Sequence, residues 1–187
     1  MILGYTLGII ALIILGLIVI VALRPADFRV VRSAVISAPA AAVFEQVNDF
    51  QKWQAWSPWE NIDPDLQRTY DGGPAGTGAG YSWVGNKNVG EGRMTITESR
   101  PSDLIRIQLE FVRPFACTND VEFTFRPQGN DTVVTWSMAG KNNFMAKAAG
   151  LVMNMDKMIG GMFEQGLAQL KTRAESETAT ASVTSRS

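Results

Sequence analysis

The first 23 residues contain no charged side chain, and this run constrains the fold of the chain more than any other feature. Nineteen of these residues are apolar. As an α-helix that rises about 1.5 Å per residue, the run is long enough to cross the roughly 30 Å hydrocarbon core of a bilayer. We therefore predict that residues 1–23 form a single transmembrane anchor and that the remainder of the chain forms one water-soluble domain.

Two other interpretations of this run remain open, namely a cleaved signal peptide and a buried core helix. A signal peptide would have a basic start, a shorter apolar stretch and a small-residue cleavage site, and the sequence before Arg24 shows none of these clearly. Arg24, Arg29 and Arg32 follow the run, and no Lys or Arg precedes it. By the positive-inside rule this asymmetry predicts a single-pass protein of the cell inner membrane with its soluble domain in the cytoplasm.

The composition excludes several classes of function. The chain has 17 Lys and Arg, 18 Asp and Glu, and no His, so its formal net charge is -1. This balance argues against a nucleic-acid partner. The absence of His removes the most common general base and zinc ligand, and the single Cys117 allows neither an intrachain disulfide nor a paired-cysteine metal motif. We expect no metal and no cofactor.

The order of elements predicts an α+β domain. After a linker at residues 24–27, a period-two alternation predicts a strand over residues 28–36. Ser37 is a candidate N-cap for a helix that extends to about Val47. A second short helix is predicted over residues 51–56, before Ser57 and Pro58.

The second half of the chain changes from strands to one helix. Short alternating segments up to about residue 140 predict six or seven antiparallel strands joined by tight turns. A long helix is predicted over residues 144–174, capped by Asn142 or Asn143. The aperiodic residues 175–187 are predicted to be a disordered tail.

Local patterns within this order resemble a known group of proteins. They are residues 35–39 followed by Val43 and Phe44, the tryptophan-rich residues 53–59, residues 90–94, and the helix end at residues 166–171. In this order and spacing they resemble the START-like (SRPBCC) superfamily, most closely its bacterial polyketide cyclase/dehydrase-like branch.

The resemblance covers about residues 28–174 and implies a helix-grip fold. In such a fold a curved antiparallel sheet of about six or seven strands wraps around a long C-terminal helix and encloses an elongated apolar cavity. The chain would differ from that plan by its N-terminal transmembrane helix. The residues expected to line the cavity and bind a ligand are Trp56, Tyr81, Trp83, Met94, Ile107, Phe123, Trp136, Met155, Met158 and Met162.

The resemblance implies a function of binding, and the missing His argues against catalysis. We therefore predict a membrane-anchored domain that binds a small hydrophobic or lipid-like ligand without acting on it. One alternative is an enzyme of the polyketide cyclase-like type, in which Tyr81, Arg93 or Glu91 would orient a carbonyl. Another is a regulatory or structural module with a filled interior that contacts proteins at the membrane.

Three features of the domain have more than one interpretation. The methionines of the long helix suit either a plain core or an adaptable cavity wall. The tryptophan cluster, including Trp56, packs in the core or lies at a cavity mouth near lipid headgroups. Gly160, Gly161 and Gly166 each cost about 1 kcal/mol in a helix relative to alanine. We expect the sheet or a ligand to approach the helix backbone at these glycines.

Overall fold

The structure is a computed structural model that describes the backbone of residues 2–184 and the side chains of residues 5–181. Seven antiparallel strands form one sheet in the order β1-β7-β6-β5-β4-β3-β2, which confirms the predicted α+β helix-grip plan. The short connections between consecutive strands from β2 to β7 favour this antiparallel order. The strands are β1 (Asp27–Ile36), β2 (Gln67–Asp71), β3 (Gly80–Val84), β4 (Glu91–Arg100), β5 (Leu104–Arg113), β6 (Cys117–Gln128) and β7 (Asp131–Lys141).

Within the described residues, four α-helices and two short 3₁₀-helices accompany the sheet. The first predicted domain helix begins at Ala40, three residues after the proposed Ser37 cap, because Pro39 occupies the N-cap position in an extended conformation. The α-helices are α1 (Ile2–Leu23), α2 (Ala40–Asn48), α3 (Phe144–Ala149) and α4 (Met155–Thr184), and the 3₁₀-helices are Phe50–Ala55 and Pro58–Asn61.

We call the side of the sheet that carries the inward side chains the inner face. The strand register arranges these side chains in rows that run across the strands. The middle row runs through Trp136, Phe123 and Ile105. A row nearer to the N-terminal end of β1 runs through Leu109 and Met94. Alternation along each strand places these apolar residues inward and polar residues outward. The inner face is therefore continuous from β7 to β3.

Helix α4 packs on β1, α2 and the 3₁₀-helices. Its buried side chains include Phe163, Leu167 and Leu170. A Cβ at Gly166 would lie 2.8 Å from the Trp136 ring, and one at Gly160 would collide with the Arg32 guanidinium. The expected close approach to the helix backbone is thus made by sheet side chains at these two glycines. Gly161 faces open space, so the expectation was wrong there.

The N-terminal helix is long and apolar enough over Tyr5–Leu23 to cross a membrane. Almost all of its described side chains are exposed, whereas Val21 is buried. Near this point the Lys147 ammonium donates a hydrogen bond to the Ala22 carbonyl at 3.2 Å. The last turn of α1 therefore lies against α3.

The predicted helix over residues 144–174 is two helices separated by a turn. Asn143 caps α3, as one of the two predicted candidates, by accepting a hydrogen bond from the Ala146 N–H. α3 ends at Ala149, and the Asn154 side chain accepts a hydrogen bond from the Lys157 N–H at the start of α4. The prediction of one uninterrupted helix missed this second asparagine cap.

The predicted disordered tail is also wrong for most of its length, because α4 continues to Thr184. The Glu175 carboxylate accepts a hydrogen bond from the Ser37 N–H at 2.7 Å and pairs with Lys171 at 2.7 Å. These contacts hold the pKa of Glu175 below its usual value. Tertiary contacts thus support a helical segment that has no apolar period. Residues 185–187 lie outside the described residues.

Candidate functional site

Six of the predicted ligand-binding residues share the inner face of the sheet. Strand alternation turns all six to the same side of the sheet, and each is buried. Their grouping follows from the period of two, since an inward residue on each strand meets inward residues on its neighbours. They are Tyr81 and Trp83 on β3, Met94 on β4, Ile107 on β5, Phe123 on β6 and Trp136 on β7.

An aromatic cluster fills the middle of this face. Trp136 stacks on Phe163 of α4 with ring centroids 4.2 Å apart, and on Phe123 at 4.7 Å. Trp56 packs against both Trp136 and Phe123, is 1% exposed, and donates a hydrogen bond to the Gln46 carbonyl at 3.0 Å. Trp56 therefore occupies the core, in agreement with the packing interpretation of the tryptophan cluster.

One end of the inner face is less tightly covered than the middle. Met94 and Leu109 are each 9% exposed, and Trp83 and Met138 are each 7% exposed. A Cβ at Gly92 would lie 2.5 Å from the Trp83 ring, so this glycine lets the indole lie against β4. We call these four side chains, Trp83, Met94, Leu109 and Met138, the open-end group. Sequence reasoning missed Leu109 and Met138, although both have the inward phase of their strands.

The three predicted residues of α4 have a different position. Met155 and Met162 are half-buried, whereas Met158 is 48% exposed. The buried side of this helix carries Phe163, Leu167 and Leu170 instead. The structure does not bring Met158 to the inner face, because a helix of 3.6 residues per turn places it away from the Phe163 side.

A buried polar cluster adjoins the inner face, and sequence reasoning missed its central residue. The Glu60 carboxylate accepts hydrogen bonds from the Tyr81 hydroxyl and the Arg68 guanidinium, each at 2.6 Å. Burial, together with this hydrogen bond, raises the pKa of Tyr81 well above its usual value. Glu60 follows a Pro-Trp pair in a short 3₁₀-helix, and no local pattern indicates its burial.

The other two residues of the enzyme alternative do not converge with Tyr81. Arg93 forms a two-point ion pair with Asp71, at 2.6 and 2.7 Å. Glu91 pairs with Arg113 at 2.6 Å. Arg93 is on the opposite face of β4 from Met94, because consecutive strand residues alternate. Both charges are therefore engaged in ion pairs outside the inner face.

Two clefts open at the surface of the domain. One, of about 310 Å³, lies between the first 3₁₀-helix and the β2–β3 turn, where Phe50 and Tyr70 form part of its wall. The other, of about 550 Å³, lies between the end of α1 and the segment from α3 to α4. Of the predicted ligand-binding residues, Met155 alone lines either of these two clefts.

The described residues contain no group of three or more His, Cys, Asp or Glu side chains placed to hold a metal ion. The chemistry that the described part of the chain offers near the inner face is thus an apolar surface with the Glu60 cluster at its border. Such a surface binds by removing apolar area from water.

Comparison with protein families identifies the domain. Residues 27–175 match the family model described as polyketide cyclase / dehydrase and lipid transport. This match spans most of the chain, and its bounds lie within one residue of the predicted domain at residues 28–174. The chain belongs to this family. No curated protein matches it.

Solved structures with the same fold include three bacterial proteins. The chain is 24% identical to a protein from Thermobifida fusca, with a TM-score of 0.57 and coverage of 78% of this chain and 92% of that one. A protein from Chromobacterium violaceum is 16% identical, with a TM-score of 0.57 and coverage of 81% and 99%. A Staphylococcus aureus protein described as of unknown function is 11% identical, with a TM-score of 0.59 and coverage of 83% and 98%. At these identities the likeness concerns the fold alone.

Proposed function

We propose that this member of the polyketide cyclase/dehydrase and lipid transport family is a membrane-anchored domain that binds a small hydrophobic or lipid-like ligand. The ligand contacts the open-end group on the inner face of the sheet. The observation that carries the proposal is this group of large apolar side chains, which are inward-facing but less covered than the aromatic cluster beside them.

The apolar lining provides the affinity in this proposal. Each 100 Å² of apolar ligand surface removed from water contributes roughly 2.5 kcal/mol before the costs of association. Leu109 and Met94 are cross-strand partners, so one ligand spans both. Methionine side chains have several rotatable bonds and adapt to ligands of different shape.

One buried polar residue suits the orientation of a ligand head group. Asn119 is the cross-strand partner of Leu109 and is buried. Its amide nitrogen donates to the Cys117 sulfur at 3.8 Å. Sulfur is a weak acceptor, so a carbonyl or carboxylate oxygen of a ligand is a better partner for this amide.

The absence of catalysis is part of the proposal. Tyr81 and Arg68 already satisfy both carboxylate oxygens of Glu60, which ties the second 3₁₀-helix to the sheet. This pairing favours a structural role for the cluster over a role as general acid or base. The polyketide cyclase-like alternative would require the Tyr81 hydroxyl to leave Glu60 and reach a ligand carbonyl.

The anchor is the second part of the proposal. The exposed apolar surface of α1 supports a span over Tyr5–Leu23, and Arg24 and Arg29 after it favour a cytoplasmic domain at the inner membrane. A reporter that is active only in the periplasm, fused after Ser187, is expected to be inactive. Activity of that reporter would contradict the orientation.

Ligand binding is tested with the full chain in lipid nanodiscs and with palmitate as the added probe. The Met94→Trp variant fills the open-end group and is expected to weaken palmitate binding by about tenfold, or 1.4 kcal/mol. The matched control is Gln108→Trp, on the outer face of neighbouring β5, which is expected to bind as the parent does. Native mass spectrometry measures the bound fraction. If the parent retains no apolar molecule, or if both variants bind equally, the proposed site is wrong.

A further inference from the structure

The end of the sheet that carries α1 also carries the α3 segment, the β5–β6 connection and the β3–β4 turn. Asp27, at the start of β1, pairs with Lys141, at the end of β7 and just before α3. Phe111 pairs with Cys117, so the β5–β6 connection emerges at the same end. We call this the anchor end. The end of α1, α3 with its following turn, and the β5–β6 connection are therefore neighbours at the anchor end.

Large apolar side chains are exposed around α3 and near the β5–β6 connection. Val152, in the turn between α3 and α4, is 87% exposed. The loops at the opposite end of the sheet, at residues 37–39, 72–79, 101–103 and 129–130, contain no Leu, Ile, Val, Met or aromatic residue. Exposed large apolar side chains in the connections at one end of the sheet, and none in the loops at the other, indicate a partner at that end. The members of this apolar surface are Phe144, Met145, Leu151, Val152 and Met153 around α3, Val112 near the end of β5, and Phe115 in the β5–β6 connection.

The position of this surface relative to α1 indicates what covers it. Val21 is buried beside α3, and the Lys147 ammonium reaches the Ala22 carbonyl. If α1 spans the bilayer, its last turn lies where hydrocarbon gives way to headgroups. The exposed side chains around α3 therefore lie at the same depth, where amphipathic elements bury apolar groups.

The charge that lines the cleft beside α1 is complementary to anionic lipid. The cleft of about 550 Å³ has two charged lining residues, Arg24 and Lys147, and both are positive. The nearby carboxylate of Asp156 is engaged by Arg32 at 3.0 Å. Cations at a membrane surface attract anionic phospholipid headgroups.

We propose that α3, the turn after it and the β5–β6 connection form a docking surface for an anionic phospholipid bilayer. In this arrangement Arg24 and Lys147 contact a lipid phosphate. The inference rests on the proposed function in one respect, because it requires α1 to span the bilayer. Docking holds the open-end group toward the membrane, so an apolar ligand passes between bilayer and inner face with little exposure to water.

The experiment measures membrane depth with nitroxide labels on the full chain, in vesicles of equal parts phosphatidylcholine and phosphatidylglycerol. Single cysteines are introduced at Leu12, Val152, Phe115 and Asn130 in a Cys117→Ser background. Collision with oxygen reports lipid exposure, and collision with a water-soluble nickel complex reports water. The labels at 152 and 115 are expected to be at interfacial depth, the label at 12 in hydrocarbon, and the label at 130 in water.

The outcomes separate the docking surface from the anchor. If the label at 12 is in hydrocarbon but the labels at 152 and 115 are as exposed to water as the label at 130, the docking surface is overturned and the anchor is left intact. A label at 12 in water overturns the anchor itself. Interfacial labels at 152 and 115 support docking.

The headgroup contact has its own matched variants. Arg24→Gln and Lys147→Gln are each expected to shift the ratio of docked to undocked Val152 label roughly fivefold toward undocked, because a cation near the surface contributes about 1 kcal/mol. Replacing phosphatidylglycerol by phosphatidylcholine is expected to act in the same direction. Arg126→Gln, at the opposite end of the sheet, is the control and is expected to have no effect. An equal shift in all three variants overturns the phosphate contact.

Discussion

The middle of α4 and its N-terminal end differ in what they cover, and this difference separates stability from the proposed function. In the middle of the helix, Leu167, Leu170 and Ala174 are almost completely buried. Toward its N-terminal end, Met155 is half-buried and Met158 is largely exposed. The same helix therefore serves as core in its middle and as a surface near the anchor end at its start.

The aromatic cluster lies where these two parts of α4 meet. Phe163 stacks on Trp136, and Trp136 in turn contacts Phe123, so the helix is joined to the middle of the sheet by rings. Dense aromatic packing of this kind accounts for much of the stability of a core. The open-end group lies beyond it and is more exposed. Substitutions on the two sides of this cluster are thus expected to have different consequences.

The largest expected effect concerns Phe163 on the packed side. Phe163→Ala removes the ring that stacks on Trp136 and leaves a cavity, so we expect the free energy of unfolding to fall by about 3–5 kcal/mol. Met158→Ala on the exposed side of the same helix is the control, with an expected change within about 0.5 kcal/mol. Urea unfolding of the full chain in detergent micelles, followed by tryptophan fluorescence, measures both. Equal losses would contradict the division of α4.

An intermediate effect is expected at the helix glycines. Gly166→Ala places a methyl group against the Trp136 ring and Pro58, neither of which can move freely, and is expected to destabilise the fold by roughly 1–3 kcal/mol. Gly161→Ala meets no atom and is expected to stabilise the fold by about 1 kcal/mol, because alanine is the better helix former. Thermal unfolding of the two variants provides the comparison. Stabilisation by both would show that the helix does not press on Trp136.

The smallest expected effect concerns the polar border of the inner face. The pKa of Tyr81 is raised in the folded protein, so the native state keeps the phenolic proton after the unfolded chain has lost it. This contribution is complete below the unfolded pKa of about 10 and declines as pH rises above it, by at most about 1.4 kcal/mol per pH unit. Loss of the Tyr81 hydrogen bond to Glu60 in Tyr81→Phe is expected to cost about 1 kcal/mol at neutral pH.

Measurement of unfolding free energy at successive pH values separates this contribution from other alkaline effects. The difference between the parent and Tyr81→Phe is expected to shrink above about pH 10, because the parent alone loses the tyrosine contribution. Tyr70→Phe is a useful second variant, since burial also raises the pKa of Tyr70. A difference that stays constant up to about pH 11 would show that Tyr81 is not held neutral by its surroundings.

Much of the inner face was predictable from strand alternation. A period of two assigns Ile107, Phe123 and Trp136 to one side of the sheet without knowledge of the fold. The same rule applies equally to Leu109 and Met138, but their greater exposure depends on which elements cover that end of the sheet. Strand alternation could not identify Glu60, because this residue lies in a 3₁₀-helix. Its burial depends on its partners Arg68 and Tyr81, which lie on β2 and β3.

The helical predictions show the limit of local patterns. The apolar spacing of residues 144–174 was compatible with one helix, and the Asn154 cap that divides it was overlooked. The extension beyond Glu175 has no apolar stripe of its own. It depends on contacts with Ser37 and Gln46, which are far away in sequence.

The amino-acid sequence by itself determined the apolar helix, the antiparallel strands and their inward residues, because these follow from hydrophobic runs and from periods set by backbone geometry. Only the tertiary structure decided which inward residues are tightly covered and which form the open-end group. It also decided that α3 lies against the last turn of α1. These features depend on the crossing of elements distant in sequence, and no local pattern encodes that crossing.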